Sequence, residues 1–162
     1  MTDPQRLHAS SGGASRPSGG TAILAGLVGL ALAGVLGYLP VKVFIDVGID
    51  GLPGNVLLML GLYLGAALLS LTGALLTLLR LVTGAVVLSL GGLAMIGAVL
   101  SEPLLFYPNL IGEFFKAMFS FAEDDAFVRV SAAAGGPLVF VLSVLPKTFR
   151  YLRYQPAYPQ GW

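Results

Sequence analysis

Four long stretches of this chain carry no ionisable side chain: residues 17–41, 51–79, 81–101 and 130–146 contain no Asp, Glu, Lys, Arg or His. A bilayer's hydrocarbon core is about 30 Å thick, so a helix needs roughly 20 apolar residues to cross it. Three of the stretches reach that length outright, and the fourth does if it starts a few residues earlier. A water-soluble domain carries roughly 25% charged residues. This chain is 10% charged and 56% hydrophobic, with a mean hydropathy of +0.87. The pattern predicts an all-α membrane protein of four transmembrane helices, with one amphipathic interfacial helix between helices three and four.

The ends of the spans are read from breakers and charges. Residues 1–20 are polar and rich in Ser and Gly, and they bury too little to order themselves. They are read as a disordered tail. A cleaved signal peptide is the competing reading, because Arg6 and Arg16 precede an apolar run; that run is too long, and no cleavage site follows it. Helix one is expected over Thr21–Leu39, ended by Pro40. A loop follows over Val41–Pro53, with Lys42, Asp46 and Asp50. Helix two covers about Asn55–Leu79, Arg80 marks a tight turn, and helix three runs from about Val82 to Leu100, closed by Glu102-Pro103. Helix four is expected over about Ala126–Leu145, stopped by Pro146. The transmembrane domain is thus 21–146, and 147–162 is a basic-aromatic tail.

Between helices three and four the segment Leu104–Phe121 is apolar but interrupted by Glu113 and Lys116. Ile111, Phe114, Phe115, Met118 and Phe119 follow the spacing of one helical face. Such a helix lies in the membrane interface, docks on a partner, or caps its own bundle.

Charge sets the expected orientation. With the N-terminus in the cytoplasm, Arg6, Arg16, Arg80, Lys147, Arg150 and Arg153 all lie inside. Lys42, Lys116 and Arg129 then lie outside, with every acid except Asp3. The excess of Lys and Arg on cytoplasmic loops favours this arrangement, with both termini in the cytoplasm of a bacterial inner membrane.

The candidate sites divide into chemistry and packing. Glu123, Asp124 and Asp125 are adjacent carboxylates that suit a divalent cation, or simply the N-terminus of helix four. Arg129 can reach the outer interface or pair with one of those acids. Helices one to three are expected to hold no ionisable group, which leaves no proton or ion path through them. Tyr63, Thr72 and Ser89, their deepest polar groups, are read as helix-packing residues. Gly61 and Gly65 form a GxxxG pair, and Gly29, Ala33 and Gly37 repeat its spacing in helix one; both are expected to pack within the chain, with dimerisation as the alternative. Lys147, Arg150, Tyr151, Arg153 and Tyr154 alternate basic and aromatic side chains, as an interfacial anchor to anionic lipid does.

The remaining classes are narrowed by what the sequence lacks. There is no Cys, and the single His, His8, lies in the polar tail. Disulfide and thiolate-metal chemistry, and intramembrane haem ligation by histidine, are thereby excluded within this chain. A net charge of +1 argues against a nucleic-acid partner. No nucleophile–base pair, phosphate loop or HExxH motif occurs, so neither catalytic residues nor a metal or cofactor are expected.

The polar Gly/Ser N-terminal tail, the FSF run at Phe119–Phe121 and the LPKTFRYLR run at Leu145–Arg153 resemble small four-helix membrane proteins of actinobacteria. The resemblance implies an accessory subunit of an envelope machine, such as a mycobacterial Mce-type lipid importer, or of a respiratory supercomplex. It carries over no functional residue. The expected function is a non-catalytic accessory subunit whose partners are other membrane-protein subunits and membrane lipids. A small carrier or channel for an apolar molecule, acting as a homo-oligomer, is the alternative.

Overall fold

The computed structural model describes residues 19–106, 108–121 and 126–153. Six helices follow in order: α1 (Gly20–Asp46), α2 (Gly54–Leu78), α3 (Val82–Phe106), α4 (Ile111–Phe119), α5 (Ala126–Val144) and α6 (Pro146–Arg153). Four of them, α1, α2, α3 and α5, are long and apolar enough to cross a membrane. The protein is an all-α, multi-pass membrane protein. Its spans form an antiparallel bundle in the cyclic order α1, α2, α3, α5, with α1 and α3 on one diagonal. Short connections make sequential helices neighbours, as in other up-down bundles.

Two helices run further than the sequence suggests. Pro40 lies inside α1 and Pro103 inside α3. A proline lacks the N–H that would bond the carbonyl four residues back, and in water that stops a helix. In a bundle of membrane helices the freed backbone group finds other partners, so the helix continues. Helix one therefore reaches Asp46 rather than Leu39, and helix three reaches Phe106 rather than Leu100. This places Glu102 within a span and corrects the expectation that helices one to three hold no ionisable group.

The bundle is held by backbone approach as much as by side chains. A Cβ at Gly73 would strike the backbone of Leu88, and one at Gly84 would strike the backbone of Leu76 and Thr77. A Cβ at Gly91 would come within 2.6 Å of Ser70 Oγ. These residues form a seam between α2 and α3. A second seam joins α3 to α5, where a Cβ at Gly92 would stand 2.8 Å from the carbonyl oxygen of Gly136. Lipid offers no hydrophobic drive to associate, so dense packing between small residues has to supply the attraction. Hydroxyls in the spans mostly bond back to the preceding turn, as Thr77 Oγ1 does to the Gly73 carbonyl at 2.7 Å and Ser89 Oγ to that of Val86. Among the described residues, Ser70 Oγ is the buried side-chain polar atom with no hydrogen-bond partner.

The α2–α3 turn is a Schellman motif. Leu81 N–H bonds the Leu76 carbonyl and Arg80 N–H bonds that of Thr77. The motif needs a left-handed residue, here Arg80 at φ 62°. Its guanidinium lies 4.7 Å from the Tyr151 ring centroid.

The chain also continues as a helix beyond Pro146. Proline fits the first position of a helix, where its missing N–H costs nothing, so Pro146 starts α6 rather than merely ending α5. Thr148 and Leu152 are buried one turn apart, and Thr148 Oγ1 donates to the Leu142 carbonyl at 2.8 Å. Leu152 packs with Ala22 and Ala85, beside Phe149 and Tyr151. The stretch read as a tail is, as far as Arg153, a short helix docked on the bundle.

Candidate functional site

The bundle's two ends differ in charge. The end formed by the start of α1, the α2–α3 turn and α6 carries Arg80, Lys147, Arg150 and Arg153 among its described residues, and no acid. The other carries Lys42, Asp46, Asp50, Glu102, Glu113, Lys116 and Arg129. At this second end three polar side chains from three spans meet.

Glu102 lies one turn before the end of α3, and its side chain is 4% exposed. Arg129, in the first turn of α5, donates from Nε and Nη2 to Glu102 Oε1, both at 2.8 Å. Tyr63 of α2, which is fully buried, donates its hydroxyl to Glu102 Oε2 at 3.1 Å. Helix direction explains the meeting. Side chains tilt toward the N-terminus of their own helix. On α2 that tilt lifts the Tyr63 ring toward this end of the bundle, and on α3 it lowers the Glu102 carboxylate to meet it. Counted from the shared α2–α3 turn, Glu102 stands five residues higher than Tyr63, about 7–8 Å along the axis. A tyrosine side chain bridges that gap where a shorter one would not.

Both carboxylate oxygens are thus engaged by donors from neighbouring helices. A buried charge has to be paired and hydrogen-bonded in this way, because isolated it would lose far more solvation than packing returns. Arg129 keeps 17% side-chain exposure, and its guanidinium carbon lies 5.9 Å from the Phe114 ring centroid. Arg129 pairs with Glu102, 27 residues upstream; the acids just before it, Glu123–Asp125, lie outside the described residues.

Helix α4 roofs this cluster. Met118 is buried, and Phe114 and Phe115 pack half-buried against the core. Their rings meet edge to face at 5.6 Å. Ile111 and Phe119 point outward. The five apolar residues therefore split between a roof contact and an exposed edge. Below the roof lies a cavity of about 440 Å³. Met59, Glu102 and Met118 form its buried floor, and Leu110, Glu113 and Ala117 its exposed rim.

The other predicted residues scatter. In α1, Gly29 and Ala33 are buried in the bundle, and Gly37 has only Ala67 Cβ near it, at 3.8 Å from a built Cβ. Among the described residues nothing lies within 4 Å of a Cβ built at Gly61 or Gly65, so the expected packing of this pair within the chain is not seen there. Spacing alone could not say which face of α2 turns inward; Tyr63, Ala66, Ala67 and Ser70 take that face instead. Lys147, Arg150, Tyr151 and Arg153 lie on α6 at the basic end. Tyr154 and the acidic run Glu123–Asp125 lie outside the described residues. Among the described residues no three His, Cys, Asp or Glu gather as a metal cluster.

Sequence reasoning missed Glu102 as a site residue and placed Tyr63 only as packing. The signal for Glu102 was its helical phase: Ala98, Val99 and Glu102 share the inward face of α3. Comparison with family models, curated proteins and solved structures finds no match to this chain.

Proposed function

We propose that the protein is a non-catalytic accessory subunit of a larger membrane complex, seated in a bacterial inner membrane with both termini in the cytoplasm. The observation that carries this reading is the outward face of α2. Glycine weakens a helix by about 1 kcal/mol relative to alanine, and what it offers in lipid is close helix approach. At Gly73, Gly84 and Gly91 the approach is used inside the chain. At Gly61 and Gly65 it is left open, flanked by exposed Leu58, Leu62 and Leu69. A transmembrane helix of another subunit fits that face.

The middle of the bundle supports a structural role. It is filled by Leu36, Leu88, Met95, Ala132 and Val139, and the ionised side chains sit toward its ends. Lys and Arg without acids among the described residues of one end support placing that end in the cytoplasm. The class of host, lipid transport or other envelope machinery, follows from the resemblance rather than from the geometry.

Purification from the native membrane in mild detergent tests the proposal. Wild type should elute with partners at fixed stoichiometry. Gly61→Leu combined with Gly65→Leu should lose them while keeping the melting temperature of the isolated subunit. Elution only as a homo-oligomer overturns the accessory reading, and unchanged partner recovery by the double variant overturns the docking face.

A further inference from the structure

The cavity beneath α4 is independent of the docking face, and it has the makings of a ligand site. Its volume of about 440 Å³ falls within the range of about 300–1,000 Å³ usual for small-molecule pockets. Its wall is largely apolar, from Val56, Met59, Phe106, Leu110 and Phe114. Among the described residues its ionisable lining is Glu102, Arg129 and Glu113. Two methionines in the floor give an adaptable apolar surface, since an unbranched thioether fills irregular gaps. Glu113 and Ala117 of the lining are exposed on α4, so the cavity is reached from their side.

The depth of the cavity narrows its occupant. Glu102 and Arg129 lie one turn from the ends of their spans, which is where hydrocarbon gives way to headgroups. A molecule entering there meets apolar walls and charge together. The lining holds two carboxylates and one guanidinium, and the guanidinium already faces Glu102 at 2.8 Å. The site is therefore net acidic, and Glu113 at its rim carries the charge that an entering head meets first. An anionic head is disfavoured, and an ammonium group beside Glu113 is favoured.

We infer that this cavity binds a membrane lipid whose head carries an ammonium group, with the ammonium at Glu113 and part of an acyl chain against Met59, Phe106 and Met118.

Full-length protein in nanodiscs of equal phosphatidylethanolamine and phosphatidylglycerol gives the test, with retained lipids counted by native mass spectrometry. Wild type should hold phosphatidylethanolamine in about fivefold excess, the ratio expected for a partly exposed ion pair of about 1 kcal/mol. Glu113→Gln should remove the preference. Ala117→Trp, which fills the mouth, should remove tightly held lipid of both kinds. Both positions are exposed, so melting temperatures should match wild type and show that the variants fold. Equal retention of the two lipids by wild type, an excess of phosphatidylglycerol, or full retention by Ala117→Trp would each overturn the site.

Discussion

Removing Arg129 should harm the fold more than removing Glu102, and removing both should cost no more than removing Glu102 alone. Arg129→Met leaves the Glu102 carboxylate, whose side chain is 4% exposed, without the guanidinium that pairs with it. Breaking a buried pair from one side costs about 3–5 kcal/mol. Glu102→Leu leaves a guanidinium that is 17% exposed and in the first turn of its helix. Its long stem can carry the charge to the interface, so the loss should be lower, about 1–3 kcal/mol. Glu102→Leu with Arg129→Met replaces the ion pair by apolar side chains, but it also removes the acceptor of the buried Tyr63 hydroxyl, so it should lie about 1–3 kcal/mol below wild type, no lower than Glu102→Leu alone. The coupling energy of the cycle is then about 3–5 kcal/mol. Reversible unfolding in mixed micelles of rising SDS fraction, followed by far-UV circular dichroism, measures all four proteins. Coupling below about 0.5 kcal/mol would refute the reasoning, as would a larger loss from Glu102→Leu than from Arg129→Met.

Three further outcomes are expected. Gly73→Val should destabilise by about 1–3 kcal/mol through overpacking against the Leu88 backbone, whereas Gly65→Val should leave the isolated subunit's unfolding curve in place. Cysteines introduced singly at Asp50 and Lys147 should label oppositely with an impermeant thiol reagent in intact cells, Asp50→Cys from outside and Lys147→Cys only after lysis; the reverse pattern would invert the proposed orientation. Ser70→Ala should leave melting unchanged or raise it, since Ser70 Oγ is buried without a partner and an unsatisfied buried hydroxyl costs about 1–3 kcal/mol; a clear loss would show that the hydroxyl has a bond in the folded state.

The four spans were legible because length and apolarity are local properties that lipid makes decisive. Where the spans end was less legible. Pro40 and Glu102-Pro103 carry the marks of helix breakers in water, yet here helix continues through both. The polar cluster was beyond local reading for another reason. Tyr63 and Glu102 are 39 residues apart, and Glu102 and Arg129 are 27 apart. Only the order of helices around the bundle brings them together. The glycines show the same limit from the other side. Gly61 and Gly65 have the recognised spacing and face outward, while Gly73, Gly84 and Gly91 carry the α2–α3 seam from a less regular pattern. α6 was partly legible, since Thr148 and Leu152 are four apart, but the proline before them read as a stop.

The Schellman turn at Arg80 has a bearing on how far α2 and α3 can move apart. Its two closing hydrogen bonds satisfy the carbonyls of Leu76 and Thr77, and only Leu79, Arg80 and Leu81 separate α2 from α3. Two helices of 25 residues each, joined by so little chain, have little freedom to separate, and the seam at Gly73, Gly84 and Gly91 locks them side by side. The hairpin is thus a stiff central unit, with α1 packed along α2 and α5 along α3.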